Sequence, residues 1–317
     1  MWNKFLASTL PAQGSALAAK WDTLYWFLTA ISVFFFFLIV GGMIYFAIKY
    51  RHKKGTPETT TYITGHHKLE AVWITIPTIL VLVIFAWGYK LYVNMIEAPE
   101  NAYEIHVQAE KWVWEFHYKN GRKTIGDLFV PLNKPVKLIM TSEDVIHSFF
   151  VPDFRVKQDV VPGMYTSVWF QAEAPGKHEI FCAEYCGTSH SGMLGQVIVL
   201  DDAKWADFEQ GKEIAQSDKP VSMQDQGAEL FRKRSCAACH SLDGTRRVGP
   251  TLKGLFNADV PLADGTTVKA DENYLRESIE VPTAKIVQGF APSMPSYKGQ
   301  LTDAEMTALL TYLKSLK

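Results

Sequence analysis

Two thiols, an imidazole and a thioether lie within one segment of twelve residues near the middle of the chain. The residues with metal-binding side chains are Cys182, Cys186, His190 and Met193. Thiolate and imidazole select copper or zinc, and a methionine among the ligands favours copper because zinc gains little from a thioether. A mononuclear copper site of this type needs only one cysteine. Two cysteines four residues apart can instead bridge two copper ions.

A second imidazole upstream completes this cluster. His147 lies in the segment Asp144–Pro152, which follows a strand-like run. Two bridging thiolates would then leave one histidine for each copper ion, with Met193 and a backbone carbonyl as weak ligands. The residue types also leave two alternatives open for the cysteine pair, a disulfide and a zinc site.

The other two cysteines form a separate motif in the C-terminal third. Cys236-Ala237-Ala238-Cys239-His240 has the spacing of a c-type haem attachment site, in which both thiols form thioethers and His240 binds the iron. A downstream methionine should be the sixth ligand. Met294 lies in a proline-rich loop that resembles the axial-methionine loop of small c-type cytochromes, whereas we expect Met306 to pack inside a helix. A thioredoxin-like dithiol is the alternative, but it would lack the adjacent histidine.

Composition limits the class of protein. A chain of 317 residues has room for two or three folded units. It is 48% hydrophobic and 21% charged with a net charge of -1, so it is neither disordered nor a polycation suited to nucleic acid. The two motifs use all four cysteines, which leaves none for a structural disulfide.

Two uncharged apolar stretches, Thr23–Ile48 and Ala71–Tyr89, lie before both motifs. The first exceeds the ~20 residues needed to span a bilayer, and the second is interrupted only by Pro77 and Gly88, which transmembrane helices tolerate. We therefore predict membrane spans at about 24–48 and 71–92. Excess lysine and arginine in the connecting loop predicts a cytoplasmic loop, with both termini outside. The alternative is a pair of buried core helices in a soluble protein.

The N-terminal segment has two interpretations. The residues Ala16–Ala19 resemble a signal-peptide cleavage region. The sequence leaves open whether this segment is removed or lies at the membrane surface as a helix.

Four segments follow from these patterns. Residues 1–96 hold the N-terminal segment and the two spans, and residues 97–205 carry short alternating runs that predict an antiparallel β-sandwich or barrel. Residues 206–222 form the end of a helix predicted over 201–215 and a polar linker over 216–222. Residues 223–317 are predicted to be mostly helical, and the last helix opens with a capping-box signature at Thr302–Glu305.

The pattern C-x-E-x-C-x-x-x-H-x-x-M, with D-V-x-H-S upstream, resembles the dinuclear copper site (CuA) of cytochrome c oxidase subunit II. The resemblance covers about residues 20 to 205 and implies a cupredoxin-like domain after a two-helix transmembrane hairpin. It implies that Cys182 and Cys186 are bridging thiolates and that His147 and His190 are terminal imidazoles. The Met193 thioether and the Glu184 backbone carbonyl would be the weak ligands. In this family the glutamate side chain also reaches a magnesium ion at the boundary with subunit I.

The same resemblance suggests roles for two further residues. In the segment Trp112–Tyr118, four aromatic residues recur at every second position, which predicts one face of a strand. In the family the first tryptophan lies at the docking surface, so Trp112 is the residue at which electrons would enter. A glutamate in an L-E-x-x-W context marks the start of a proton pathway into subunit I, which implies this role for Glu70. Without the resemblance, an ionisable residue at a helix end is most often a solvated boundary residue.

The complete chain resembles an oxidase subunit II fused to a C-terminal, all-α class I cytochrome c domain. This implies a multidomain protein of the bacterial inner membrane, with both redox domains periplasmic. Electrons would pass from haem c to CuA and on to subunit I, where dioxygen is reduced to water with coupled proton translocation. The implied partners are subunits I and III, membrane lipid, and cytochrome c or quinol:cytochrome c reductase as donor. A CuA-bearing subunit of a nitric-oxide reductase and a free membrane-anchored electron shuttle are the alternatives.

Overall fold

Two long helices form the N-terminal part of the chain. The computed structural model describes residues 9–52, 55, 62, 64–212, 214 and 222–317. Helix α1 runs over Ala16–Lys49 and helix α2 over His67–Ile96. Both are long and apolar enough to cross a membrane, and their apolar stretches are not covered by the rest of the chain. The helices contain the two predicted spans and extend beyond each of them.

A buried ion pair fastens the start of α1 to the domain that follows α2. The Asp22 and Arg155 side chains are only 6% and 7% exposed, and the Arg155 Nε and Nη2 atoms donate to the Asp22 carboxylate at 2.9 Å. Arg155 also donates to the carbonyls of Pro11 and Ala12. The Ala16–Ala19 segment, which resembles a cleavage region, forms the first turn of α1 next to these contacts.

Loss of this ion pair should destabilise the fold measurably. Removing one partner of a buried pair leaves the other charge unpaired, which costs about 3 to 5 kcal/mol. We therefore expect Asp22→Ala to lower the free energy of unfolding by about 3 kcal/mol in denaturant titrations of the detergent-solubilised chain. The exposed pair of Lys134 and Asp202 at 3.0 Å is the control, because Asp202→Ala should cost less than about 1 kcal/mol. Equal effects of the two substitutions would contradict the structural importance of the buried pair.

Residues 103–200 form a β-sandwich of two five-stranded sheets. The strands are β1 Tyr103–Glu110, β2 Val113–His117, β3 Lys123–Ile125, β4 Asp127–Pro131, β5 Pro135–Ser142, β6 His147–Val151, β7 Val156–Val160, β8 Thr166–Gln171, β9 Gly176–Cys182 and β10 Leu194–Leu200. One sheet has the order β3-β2-β1-β5-β8 and the other β4-β10-β9-β6-β7. The sandwich was predicted, and most of its strand pairs are antiparallel. The pairs β1–β5 and β4–β10 are parallel, and both join strands that are not consecutive in the chain, since parallel pairing requires a crossover connection.

The core of the sandwich lies between the two sheets. Along β5 every second residue is buried, so Val136, Leu138 and Met140 face the core. Trp114 and Phe149 from opposite sheets meet there edge to face, with ring centroids 5.5 Å apart. This rigid core fixes the strand ends that carry the candidate metal ligands.

The helix after the sandwich is shorter than predicted. Helix α3 spans Asp202–Glu209 and packs Trp205 and Phe208 onto the sandwich core. It ends before the predicted residue 215 because the chain turns at Gly211, which has a left-handed φ of 81°. Most of the predicted linker over 216–222 lies outside the described residues, which resume at Ser222.

The C-terminal domain is mainly helical. Its helices are α4 Met223–Lys233, α5 Cys236–Cys239, α6 Glu272–Glu280 and α7 Asp303–Ser315. The predicted capping box is present, since Thr302 and Glu305 each bond to the other's backbone N–H. Helices α4 and α7 cross at Gly227, where a Cβ would lie 2.1 Å from the Ala308 carbonyl oxygen. A short two-stranded ribbon, β11 Asp259–Pro261 and β12 Thr267–Lys269, adds an element that the sequence patterns did not predict.

Candidate redox centres

The candidate copper ligands come together at one end of the β-sandwich. His147 is the first residue of β6, and Cys182 is the last residue of β9. Because β6 and β9 are antiparallel neighbours, the start of one lies beside the end of the other. The β9–β10 connection then brings Cys186, His190 and Met193 back over the same edge. Residues that are 35 apart in the sequence thus meet through sheet pairing.

The spacing of the donor atoms suits two metal ions that share the two thiolates. The Cys182 and Cys186 Sγ atoms are 3.7 Å apart, and both cysteines are free. The Nδ1 atoms of His147 and His190 lie 3.9 Å from Cys182 Sγ and 3.4 Å from Cys186 Sγ, respectively. Metal–ligand bonds of about 2.0 to 2.3 Å would link donors at such separations, whereas a disulfide requires a sulfur separation of about 2.05 Å. The disulfide alternative is therefore not the arrangement that the chain adopts.

Two weaker donors complete the cluster. The Met193 Sδ atom is fully buried and lies 3.9 Å from Cys186 Sγ, and the Glu184 carbonyl oxygen lies 3.2 Å from Cys182 Sγ. A buried thioether beside two thiols and two imidazoles exceeds the four donors of a structural zinc site and favours copper. The Glu184 side chain itself is exposed at the surface of this chain.

The two thiols differ in acidity. A hydrogen bond from the Cys186 thiol, together with one from His147, lowers the pKa of Cys182 to about 3. The same hydrogen bond to Cys182 raises the pKa of Cys186 far above its usual value, and burial and the negative charge of the Cys182 thiolate raise it further. One sulfur is therefore ready to bind metal at neutral pH, and the other must lose a proton when metal arrives.

Asp144 orients the His147 ring, a role that the sequence patterns did not predict. Its Oδ1 atom lies 2.9 Å from His147 Nε2, which leaves Nδ1 facing the sulfurs. Burial disfavours the charge on Asp144, but hydrogen bonds from His147 and from the backbone N–H groups of Val145 and Lys111 outweigh it and lower the pKa of Asp144. The signal that could have revealed this role is the acidic residue three positions before the histidine in D-V-x-H.

Removal of the Asp144 carboxylate should weaken copper binding. Outer hydrogen-bond partners of ligating histidines typically contribute about 10- to 100-fold to metal affinity. We expect Asp144→Ala to lower the copper affinity of the metal-free chain by this factor in competition titrations with a chelator. Asp159→Ala is the matched control, because Asp159 bonds Ser148 on the neighbouring strand rather than an imidazole. Equal affinities of the Asp144 variant and the control would contradict the orienting role.

Trp112 does not lie on the strand face that the alternating pattern predicted for it. It lies in the turn between β1 and β2, whereas Trp114, Phe116 and Tyr118 follow it and are buried in the core. The Trp112 indole Nε1 donates to the Cys186 carbonyl oxygen at 3.3 Å. Its ring packs on Gly187, whose left-handed φ of 115° suits glycine. Trp112 therefore touches the loop that carries the copper ligands from outside the sandwich core.

Glu70 lies far from this cluster. It is in the first turn of α2, and its carboxylate accepts from the His66 backbone N–H at 3.0 Å. The opposite end of α2 meets the sandwich, where Trp169 donates to the Asn94 carbonyl. At about 1.5 Å per helical residue, Glu70 lies roughly 36 Å along the helix from that contact.

The C-terminal domain encloses a large apolar cavity around the second motif. The cavity has about 1220 Å³ of empty volume, part of it open to solvent, and Cys236, Cys239, His240 and Met294 all line it. His240 Nδ1 lies 2.7 Å from the Pro250 carbonyl oxygen, so Nε2 remains available for a metal. Burial lowers the pKa of His240, which favours the neutral ring that binds iron. The residues present therefore fit a covalently attached haem.

Gly249 beside this cavity and Met306 in the helical core have structural roles. A Cβ at Gly249 would lie 2.8 Å from His240 Cε1, so glycine is required for the ring to occupy its position. Met306 is buried within α7 in the helical core, as expected, and does not line the cavity.

Comparisons with known proteins identify all three parts of the chain. Residues 4–91 match the family model described as cytochrome c oxidase subunit II, transmembrane domain, and residues 123–201 match its periplasmic domain. Residues 224–317 match the cytochrome c family. The match to the periplasmic domain implies a CuA copper site, and the match to cytochrome c implies haem c.

Two relatives match this chain over most of their length. A cytochrome c oxidase subunit 2 of Alkalihalophilus pseudofirmus is 32% identical over 298 residues, which cover 92% of this chain and 83% of the relative. A cytochrome c oxidase subunit 2 of a Bacillus species is 30% identical over 296 residues, with 84% and 80% covered. The crystal structure of the periplasmic domain of subunit II of cytochrome oxidase from Bradyrhizobium japonicum is similar at 28% identity and a TM-score of 0.35, covering 36% of this chain and 96% of that one.

Proposed function

Because the chain belongs to the cytochrome c oxidase subunit II family and carries a C-terminal cytochrome c domain, we propose that it is the subunit at which electrons enter a respiratory haem-copper oxidase. Electrons would arrive at haem c, pass to CuA and continue to subunit I. One observation carries this proposal: the two donor clusters meet where the two domains touch, with Ser189 Oγ 2.8 Å from Cys239 Sγ. Ser189 directly precedes His190, so the two cofactors would be close neighbours.

The proposed ligands follow the geometry of the two clusters. Cys182 and Cys186 would hold the copper ions together with His147, His190, Met193 and the Glu184 carbonyl. Cys236 and Cys239 would hold haem c covalently, and His240 and Met294 would bind its iron. When bound, the two cofactors supply reversible one-electron chemistry.

The contribution of the protein is to hold these ligands rigidly and exclude water. His147 and Met193 are fully buried, and Cys186 is nearly so. Asp144 and the Pro250 carbonyl fix the rings of His147 and His240, respectively. Ligands that cannot move do not reorganise when an electron arrives or leaves, which favours rapid transfer at a small driving force.

Trp112 is the proposed residue through which electrons reach the copper loop, residues 183–193. It lines the haem cavity of the C-terminal domain and bonds the Cys186 backbone at the same time. Its ring packs on Gly187 after the copper ligand Cys186, and its backbone carbonyl accepts from Ser235 before the haem motif, so this residue contacts both ligand segments. Ser189 and Cys239, which contact each other, line the same cavity as Trp112.

Two features of this chain support its assembly with other subunits. Its two membrane helices are exposed, and the described residues offer one cluster of buried metal-binding side chains, at the copper site. Dioxygen reduction is therefore proposed to occur in subunit I, with subunit III as a further partner. Glu70 at the far end of α2 would mark the start of a proton pathway, and the exposed Glu184 carboxylate would hold magnesium only with ligands from subunit I.

The proposed topology places both redox domains on the periplasmic side of the bacterial inner membrane. It rests on the surplus of cations in the loop between the two spans. Domain boundaries near residues 96, 205 and 222 complete the proposal, and a donor such as cytochrome c or quinol:cytochrome c reductase would deliver the electrons.

Gas consumption by the purified complex tests this function. A reductant that reduces haem c should support dioxygen uptake by the complex with both cofactors loaded. An intact, loaded complex that consumes nitric oxide but no dioxygen would identify a nitric-oxide reductase instead. A chain that purifies without any many-span partner and consumes neither gas would indicate a free electron shuttle.

A further inference from the structure

The C-terminal domain sits on the copper loop through close backbone contact. Helix α5 lies against the 3-10 turn His190–Gly192, which is part of the copper loop. A Cβ at Gly192 would be only 2.3 Å from the Ala238 Cβ, so no larger residue fits at position 192 in this arrangement. This contact also places Cys239 against Ser189.

A serine hydroxyl ties the two domains together beside this contact. Ser235 precedes α5 in a left-handed conformation with φ 56° and is nearly fully buried. Its Oγ lies 2.9 Å from the Trp112 carbonyl oxygen and 2.5 Å from the Gly192 carbonyl oxygen. One hydroxyl proton is therefore shared between two carbonyls of the copper domain, both next to residues of the proposed electron route.

A buried carboxylate forms the third contact. Asp127, at the start of β4, is 1% exposed, and its Oδ2 atom lies 2.6 Å from Lys233 Nζ at the end of α4. Arg232 contributes a second cation at 3.6 Å from Asp127 Oδ1. The acid belongs to the copper domain and both cations to the C-terminal domain, where Glu229 on the same helix also pairs with Arg232 at 2.7 Å and with Lys233 at 3.9 Å. Docking therefore adds the Asp127 carboxylate to cations that Glu229 already neutralises in part.

We propose that these contacts form an interdomain latch, made of Asp127 with Lys233 and of Ser235 with the Trp112 and Gly192 backbone, which fixes one orientation of the haem domain on the copper loop. The inference rests on the proposed function, because that orientation matters only if electrons cross between the two sites. A buried ion pair adds little net affinity, but it penalises any arrangement that leaves one of its charges unpaired. The latch therefore selects orientation, while the covalent connection between the domains keeps their local concentration high.

Charge reversal tests the latch in the full complex with both cofactors loaded. Asp127→Lys and Lys233→Asp each place like charges together, and the double variant restores opposite charges. Pulsed electron paramagnetic resonance between oxidised CuA and ferric haem c reports the distance distribution between them. We expect a narrow distribution for the wild type, broad distributions for both single variants and a narrow one again for the double variant.

The size of the effect follows from the ion pair that each single variant breaks. Breaking a buried, hydrogen-bonded charge pair typically costs enough binding free energy to reduce the equilibrium constant for docking by about tenfold or more. We expect the rate of electron transfer from photoreduced haem c to CuA to fall by up to about the same factor. Lys269→Asp is the matched control, because it makes the same charge change on ribbon β11–β12, where Lys269 pairs with Asp259.

A second pair of variants keeps the test independent of charge effects on folding. Ala238→Leu should broaden the distance distribution, because the larger side chain meets the Gly192 backbone. Ala237→Leu changes the adjacent, exposed residue by the same amount and should leave the distribution narrow. Unchanged narrow distributions in Asp127→Lys, Lys233→Asp and Ala238→Leu would overturn the latch. Dioxygen uptake in the same wild-type samples reports separately on the proposed function.

Discussion

Replacing Cys186 with serine should remove the dinuclear copper centre and stop electron transfer out of the haem domain. Cys186 is central to the cluster, since its Sγ atom lies within 3.9 Å of Cys182 Sγ, His190 Nδ1 and Met193 Sδ. A serine hydroxyl is a hard donor that does not deprotonate at neutral pH and does not bridge soft copper ions. We expect the copper content to fall from two ions per chain to one or none.

Metal analysis and spectroscopy check this result together. The hyperfine pattern of an electron shared by two copper ions should be replaced by that of a single copper ion, or should vanish. Reduction of copper after photoreduction of haem c should be lost with it. Two tightly bound copper ions in the Cys186→Ser chain would contradict the bridging arrangement.

Cys236→Ser provides the reciprocal control. Cys236 lines the haem cavity and takes no part in the copper cluster of the described residues. This variant should retain two copper ions while its haem keeps a single thioether through Cys239. A cysteine-to-serine change would then remove copper at position 186 but only a haem thioether at position 236. This difference would separate the loss of one site from general misfolding.

Replacing Met294 with alanine should lower the reduction potential of haem c strongly. A histidine and methionine ligand pair raises the potential of c-type haems, and axial ligation controls haem potentials over a wide range. Loss of the thioether should lower the potential by on the order of 100 mV. Because ~59 mV corresponds to tenfold for one electron, the equilibrium for electron uptake from the donor should worsen by roughly 50-fold.

Redox titration of the full complex measures this shift directly. The sulfur-to-iron charge-transfer absorption should disappear in the same variant, while the copper content stays unchanged. Met306→Leu is the matched control, because Met306 is buried in α7 and does not line the cavity. It should leave the potential unchanged and cost less than about 1.5 kcal/mol of stability. A wild-type potential in Met294→Ala would show that another residue is the sixth ligand.

The docked haem domain changes the interpretation of Trp112. In the structure Trp112 is half-buried, and the C-terminal domain of the same chain contacts it. The proposed entry residue is therefore covered here by the C-terminal domain of the same chain. An external donor should consequently reduce the haem domain first, and substitutions on the sandwich surface should affect the internal step rather than donor binding.

The chemistry of this chain is encoded locally in its sequence. The spacings of Cys182–Met193 and Cys236–His240 specify which donors belong together, because a few residues of backbone keep them within reach of one site. Apolar length predicted both membrane helices, and alternation predicted the strands. These features depend on neighbours in the sequence, so they could be recognised without the fold.

The tertiary structure decided how the distant parts meet. Asp22 pairs with Arg155 across 133 positions, and the Asp127 carboxylate of the sandwich meets Lys233 of the C-terminal domain. Trp112 lies outside its predicted strand, in the turn where it contacts both ligand loops. No local pattern specifies such contacts, because a charged or aromatic residue gains a buried partner only when packing brings two remote surfaces together. The sequence by itself therefore determined which atoms could bind copper and haem, whereas the packing of the domains determined how close the two sites lie and what holds them there.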